Sequence, residues 1–202
     1  MAKLSTPRSV RTQDTKDKIY KAATSILKKK GYAYLSVSNI CAEAGVSNGT
    51  FFYHFKTKEE LLTYYTYDQF ARYRTAHNFE QAVEGLPFDG KILTFYCYWC
   101  DYVEDTGIDF FSNFYSTKNV ALDVRRWNQR EPANIWAFPG TCLKEAQSVG
   151  HLSASRSVEH YAESLAVIIK GICFDWCISD GSSDMKRMCH ELMGPYLNSI
   201  KI

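Results

Sequence analysis

Residues 36–55 read SVSNICAEAGVSNGTFFYHF, and this stretch decides the fold. Ser36 is placed to cap a helix, because a short hydroxyl side chain accepts from the otherwise unpaired N–H groups of a first turn. Leu35 before it is the outer half of a hydrophobic staple. Ile40 and Cys41 share a face, while Ala42, Ala44 and Gly45 leave room for a second helix to come close. Gly45 takes the left-handed conformation without a Cβ clash and stops the first helix. Val46 is expected to be buried in the turn. Ser47 then caps a second helix with Thr50 at its third position. Two short helices joined this tightly are the sequence form of a helix-turn-helix, whose second helix can enter a DNA major groove.

Charge separates this region from the rest. Residues 1–58 carry eleven Lys and Arg against three acids, and residues 59–202 carry thirteen bases against nineteen acids. The net charge of +2 hides that asymmetry. A basic first third beside an acidic remainder predicts that only the first part meets phosphate. No apolar run approaches the ~18 residues of a membrane span, and residues 1–18 hold no apolar segment of a secretory signal. The seven cysteines, odd in number and irregularly spaced, are therefore expected as reduced thiols in a cytoplasmic protein.

Working outward, residues 1–13 read as a polar arm with Pro7, Lys3, Arg8 and Arg11. Residues 14–30 read as an amphipathic helix with Ile19, Ala22, Ala23, Ile26 and Leu27 on one face, ended by Gly31 after three lysines. Tyr32 and Tyr34 are expected to pack the corner that follows. Thr57 and Glu60 form a capping box, so a long helix starts at Lys58. Gly85, Pro87 and Gly90 break the chain. An aromatic-rich helix follows from Asp89 to about Asp105, then a shorter segment from Ile108. Residues 118–134 are the least regular stretch, with Pro132 inside it. A helix is expected over 135–149. The most apolar helix begins at Ser157, and a last one opens at Asp184. No strand and no repeat is evident. The predicted fold is all-α, with about nine helices. Residues 1–57 form a basic arm and a three-helix DNA-binding domain, and residues 58–202 form a larger helical domain.

The residues quoted from Ile19, Ala22 and Ala23 through Gly31-Tyr32, Ser36 to Cys41, Ala44 to Phe55 and Lys56 to Leu62 resemble the tetracycline-repressor (TetR) family of bacterial transcription regulators. The pattern is long, ordered and in register. The remaining two-thirds match only loosely, although AQSVGHL and the helix with Lys170-Gly171 and Trp176 are similar to the family's last helices. The resemblance implies a homodimer that sets two helix-turn-helix units on a palindromic operator. It also implies a C-terminal domain whose small-molecule effector controls their spacing. Repression is the family default. Two departures stand out. Phe52 occupies a position where the family usually has a tyrosine whose hydroxyl contacts phosphate, and Cys41 stands where alanine is common.

The recognition helix is expected over residues 48–54, with Ser47, Asn48, Gly49 and Thr50 nearest the groove. A side-chain amide pairs bidentately with adenine, which makes Asn48 the best base reader. Gly49 allows close backbone approach, and Thr50 can meet a thymine methyl or a phosphate. Tyr53 and His54 match family positions that contact phosphate and sugar. Lys58, at the start of the long helix, can clamp a phosphate. Ser36 and Ser38 open the supporting helix and can meet the backbone. Phe51 and Phe55 are expected inside.

An effector site is expected from the aromatics of the second domain: Tyr64, Phe95, Tyr98, Trp99, Tyr102, Phe111, Phe114, Tyr115, Trp127 and Trp136. Tyr and Trp combine apolar area with a polar handle. A flat apolar or aromatic effector suits them, and so does a cationic one, because ring faces attract cations. The dimer is expected to bury Tyr161, Leu165, Ile168, Ile172 and Trp176 with Met188, Leu192 and Tyr196, as a four-helix bundle across a two-fold axis.

Two rival readings are a thiol or metal sensor built on Cys97 and Cys100, and a small-molecule-binding protein that has lost DNA recognition. Zinc would need two further ligands beside the cysteine pair. The five histidines are scattered, with no HExxH, GxSxG or glycine-rich phosphate loop, so no catalysis, cofactor or metal is expected.

Overall fold

A computed structural model describes residues 7–115 and 136–202. The described residues are helical, and the one β contact is an isolated bridge between Leu152 and Lys201. The chain forms two compact units, residues 1–65 and 66–202.

In the first unit, α1 spans Pro7–Lys30. It starts well before the residue 14 that periodicity suggests. Pro7 stands at the first helical position, where its missing N–H would be unpaired anyway and its fixed φ already suits a helix. Ile19, Ala22, Ala23 and Ile26 are buried, and the three terminal lysines are exposed. A 3-10 turn over Tyr32–Tyr34 leads into α2, Val37–Ala44. Tyr34 does not pack the corner: its ring is exposed, and its carbonyl accepts from Asn39 Nδ2 at 2.8 Å. Ser36 caps α2, its Oγ accepting from Asn39 N at 3.2 Å. Gly45 ends it at φ 65°, where a side chain would be strained. Val46 is only half-buried.

Helix α3 spans Asn48–His54 and is capped by Ser47, which accepts from Thr50 N at 3.1 Å. Its inner face is Phe51, fully buried against the rings of Phe52 and Phe55. Helix α4, Lys58–Ala76, opens on the expected box: Thr57 Oγ1 accepts from Glu60 N at 3.0 Å. Glu60 reaches back one residue further than usual, to Lys56 N at 2.6 Å. The first two turns of α4 belong to the first unit, with Leu61, Leu62 and Tyr65 buried. The units thus divide at Tyr65/Thr66, inside α4, where the sequence suggested the helix's first residue.

The second unit continues with α5 (Phe79–Val83), α6 (Phe88–Thr106), α7 (Ile108–Phe114), α8 (Ala137–Ser148) and α9 (Val158–Ile178). It closes with α10 (Met185–Met188), a π segment (Cys189–Met193) and α11 (Gly194–Ser199). Pro195 accounts for that sequence of pieces. It has no N–H to give the carbonyl four residues earlier, so the ladder slips to i→i+5 ahead of it. The core is aromatic. Phe70, Phe95, Trp99, Tyr102, Phe111 and Phe114 are all buried, and their rings meet mostly edge to face or tilted.

Candidate nucleic-acid interface

The cap on Ser47 and the burial of Phe51 and Phe55 fix how α3 presents itself. With the two phenylalanines inside, Ser47, Asn48, Gly49, Phe52 and Tyr53 are exposed on the other side. Thr50 is half-buried, and its hydroxyl lies 2.9 Å from Ser47 Oγ. Asn48 is exposed, and its amide has no hydrogen-bond partner among the described residues, which leaves it available to a base edge. Gly49 has only Ser47 Oγ near its missing side chain, at 3.7 Å. Tyr53 and His54 pack edge to face at 5.1 Å. Burial, with nearby Lys16 second, lowers the His54 pKa, so the imidazole is neutral at physiological pH. A neutral imidazole can donate or accept a hydrogen bond but carries no charge.

Lys58 sits at the first position of α4, half-buried, with Nζ 4.7 Å from the centre of the Tyr32 ring. Ser36 is occupied as a cap, whereas Ser38 stands exposed two residues on. All the residues proposed to face DNA lie within the first unit. One exposed ring was missed from sequence, Tyr34, 58% exposed just before α2, while Phe52, singled out as a departure, is 46% exposed on the outer face of α3. Adjacent aromatics such as Phe51 and Phe52 are alike in composition, and only the angular position around α3 tells them apart.

The aromatics proposed for an effector divide. Phe95, Trp99, Tyr102, Phe111, Phe114 and Tyr115 are in the buried core of the second unit, with Tyr98 and Trp136 packed against it. Trp99 Nε1 donates to the Tyr115 hydroxyl at 3.1 Å. Tyr64 lies apart from them in the first unit, edge-on to Tyr20 at 5.6 Å and 4.4 Å beneath Lys16 Nζ. Trp127, like the irregular stretch 118–134, lies outside the described residues. Sequence reasoning missed Arg74. Its Cζ is 4.9 to 5.9 Å from the centres of Phe70, Phe79, Phe95 and Phe138, and its buried Nε has no hydrogen-bond partner among the described residues. Of the rings that suggested a cationic effector, Phe95 already faces a cation of the chain itself.

The expected dimer face needs correction. Tyr161, Leu165, Ile172 and Trp176 are buried inside the protomer, and Ile168, Met188 and Tyr196 pack against the same core. The apolar side chains of α9 that remain exposed are Val167, Phe174 and Ile178, with Leu192 on the π segment. Together with Gly171 they recur at steps of four, three and four, the spacing of one helix face. Periodicity found the larger apolar face, which the protomer uses for itself. Cys97 and Cys100 are not a self-contained pair either, since their recorded sulfur contacts run to His190 and Cys189. Among the described residues no group of three or more His, Cys, Asp and Glu is arranged to hold a metal ion. None of the described helices is long and apolar enough to cross a membrane.

A capped two-helix unit with a polar outer face on its second helix defines a helix-turn-helix DNA-binding protein. The family "Bacterial regulatory proteins, tetR family" matches residues 19–65, which lie within the first unit. It is similar to the HTH-type transcriptional regulator YerO of Bacillus subtilis, 41% identical over 49 residues, which span 24% of this chain and only 17% of that protein. It is similar along most of its length to the HTH-type transcriptional regulator UidR of Escherichia coli, at 21% identity over 81% of this chain and 82% of that one. Its fold is shared with Thermus thermophilus FadR, solved with lauroyl-CoA, at a TM-score of 0.66, 19% identity, and 90% and 93% coverage. It is shared likewise with RolR, solved with resorcinol, at 0.64, 15% identity, and 95% and 90% coverage.

Proposed function

We propose that the protein is a dimeric, ligand-responsive repressor that binds a palindromic operator and leaves it when a small apolar or aromatic effector enters the second unit. The observation that carries the DNA half is the presentation of α3. Phe51 and Phe55 are buried, so Asn48, Gly49 and Tyr53 face outward from a helix held by the Ser47 cap. Ser36, Ser38, Thr50, His54 and Lys58 extend that surface, and a neutral His54 and an exposed serine add donors for phosphate.

The effector half is supported by the aromatic interior and by the ligands named with FadR and RolR, which are an acyl thioester and a phenol. Arg74 refines the class. A guanidinium boxed by four phenyl rings repels a cationic ligand and favours a neutral or anionic one with an apolar body. The dimer half rests on Val167, Phe174 and Ile178 of α9 with Leu192 of the π segment, because exposed apolar side chains in number mark an interaction face. The test is fluorescence anisotropy of the full-length protein with DNA from the promoter region of its own gene. Saturable binding to one site, lost on adding a phenolic or acyl ligand, is expected. Binding no tighter there than to unrelated duplex would overturn the reading.

A further inference from the structure

The seven cysteines are all thiols, and four of them converge where α6, α9 and the π segment meet. Cys100 Sγ lies 3.5 Å from Cys189 Sγ, across a sequence separation of 89. Cys97, one turn earlier on α6, has its Sγ 3.8 Å from His190 Nε2. Cys173 on α9 shares hydrogen bonds with Tyr115 and Trp99 behind them. Cys100 and Cys189 are fully buried, whereas Cys97 is half-buried and His190 exposed. The approach of the two sulfurs is held from outside. Lys186 on α10 pairs with Asp101 at 2.7 Å, next to Cys100 and one turn from His190. A disulfide needs about 2.05 Å between sulfurs, so closing the Cys100–Cys189 gap takes a combined shift of about 1.5 Å.

We infer that this cluster is a reversible oxidation site at which an organic hydroperoxide, entering at Cys97, produces a disulfide between Cys100 and Cys189. This goes beyond the regulatory reading and does not depend on it. Burial pushes the Cys97 thiol up to about 12, and the hydrogen bond with Cys189, then burial, pushes Cys100 up as well, so the first step needs a base. His190 Nε2 is the group in place. It takes the Cys97 proton as the sulfur attacks the terminal peroxide oxygen. The O–O bond breaks, the imidazolium returns the proton to the departing alkoxide, and an alcohol leaves a sulfenic acid on Cys97. Cys100, one helical turn away, displaces the hydroxyl as water and forms a bond to Cys97. Cys189 then attacks Cys100 Sγ, and its proton passes to the departing Cys97 sulfur. The sum is two thiols and one hydroperoxide giving one disulfide, one alcohol and one water. Two electrons pass from sulfur to oxygen, and Cys97 is regenerated.

The test treats reduced full-length protein with tert-butyl hydroperoxide and maps the unreduced peptides by mass spectrometry. The expected product is a Cys100–Cys189 cross-link, with two thiols lost per chain and both recovered in dithiothreitol. Cys189→Ser should stop at a Cys97–Cys100 bond. Cys97→Ser and His190→Gln, with unchanged circular dichroism, should slow cross-linking by roughly tenfold or more, as expected when the entry thiol or its base is lost. The wild-type map needs no variant to fold. Sulfinic acid at Cys97 without the cross-link, thiols unchanged until the protein unfolds, or stoichiometric zinc held by the cluster as purified would each overturn the proposal.

Discussion

Lys58→Ala tests the docking of the first unit most directly, because salt dependence counts phosphate contacts independently of their strength. Neutralising one phosphate of B-DNA contributes about 0.9 to the slope of log K against log salt, so losing Lys58 from both protomers removes about 1.8. Over a rise from about 50 to about 200 mM salt, the wild type should therefore lose about twelvefold more affinity than the variant. The Tyr32 ring complicates affinity but leaves the slope alone. In the unbound protein the ammonium rests 4.7 Å from the ring centre, and leaving it costs about 0.5–1 kcal/mol. The net loss of affinity at any one salt is thus smaller than a bare ion contact suggests. Asn48→Ala is the control: it should weaken binding by about 1–3 kcal/mol with an unchanged slope, because base-edge contacts release no counterions. The assay is fluorescence anisotropy on the operator across a salt series. A Lys58→Ala slope equal to that of the wild type would refute the placement of Lys58 on phosphate, whatever the affinity did.

Further outcomes follow from the same geometry. Phe51 is fully buried in the first unit, so Phe51→Ala should cost about 3–5 kcal/mol of stability by chemical denaturation and abolish operator binding; a loss below about 1 kcal/mol, closer to the effect of a surface substitution, would mean the ring is not core. Phe174 is 47% exposed on α9, so Phe174→Glu should leave helicity intact and convert the dimer to a monomer in size exclusion with light scattering; an intact dimer would place the interface elsewhere. The His54 pKa is lowered in the folded protein, so the unfolded chain binds more protons in the window between that value and about 6.5. Stability therefore falls as pH drops through that window. A nearby phosphate raises the pKa again, so operator affinity should rise over the same window, and His54→Gln should flatten both trends. Identical pH profiles for the two proteins would exclude His54 from the interface.

The N-terminal unit was legible almost residue by residue because its signals are local. Ser36, Ser47 and Thr57 cap the helices they precede, and Gly45 ends the one it follows. The second unit was legible as helices but not as surfaces. The stripe through Tyr161, Leu165, Ile172 and Trp176 is periodic whether it meets its own core or a second chain, and nothing in its spacing distinguishes these. The smaller stripe of Val167, Phe174 and Ile178 was hidden beside it. Contacts between distant segments were out of reach. Cys100 meets Cys189 only after α6 and the π segment are brought together, and Arg74 gains Phe95 and Phe138 only when α6 and α8 fold onto the end of α4. Tyr64 was misassigned for a related reason: the first two turns of α4 pack with α1, although the helix continues beyond them.

Arg74 has one more consequence. Burial lowers the guanidinium's pKa and Glu80 opposes that shift, but an arginine stays protonated at every pH a cell reaches. A lysine or histidine in the same box could discharge itself to escape the apolar surroundings, and a site built on it would change character with acidity. The arginine gives the interior a positive potential that does not titrate. An effector that ionises only outside the physiological range should therefore be sensed with the same threshold at about pH 6 as at about pH 8, even while contacts made through His54 drift.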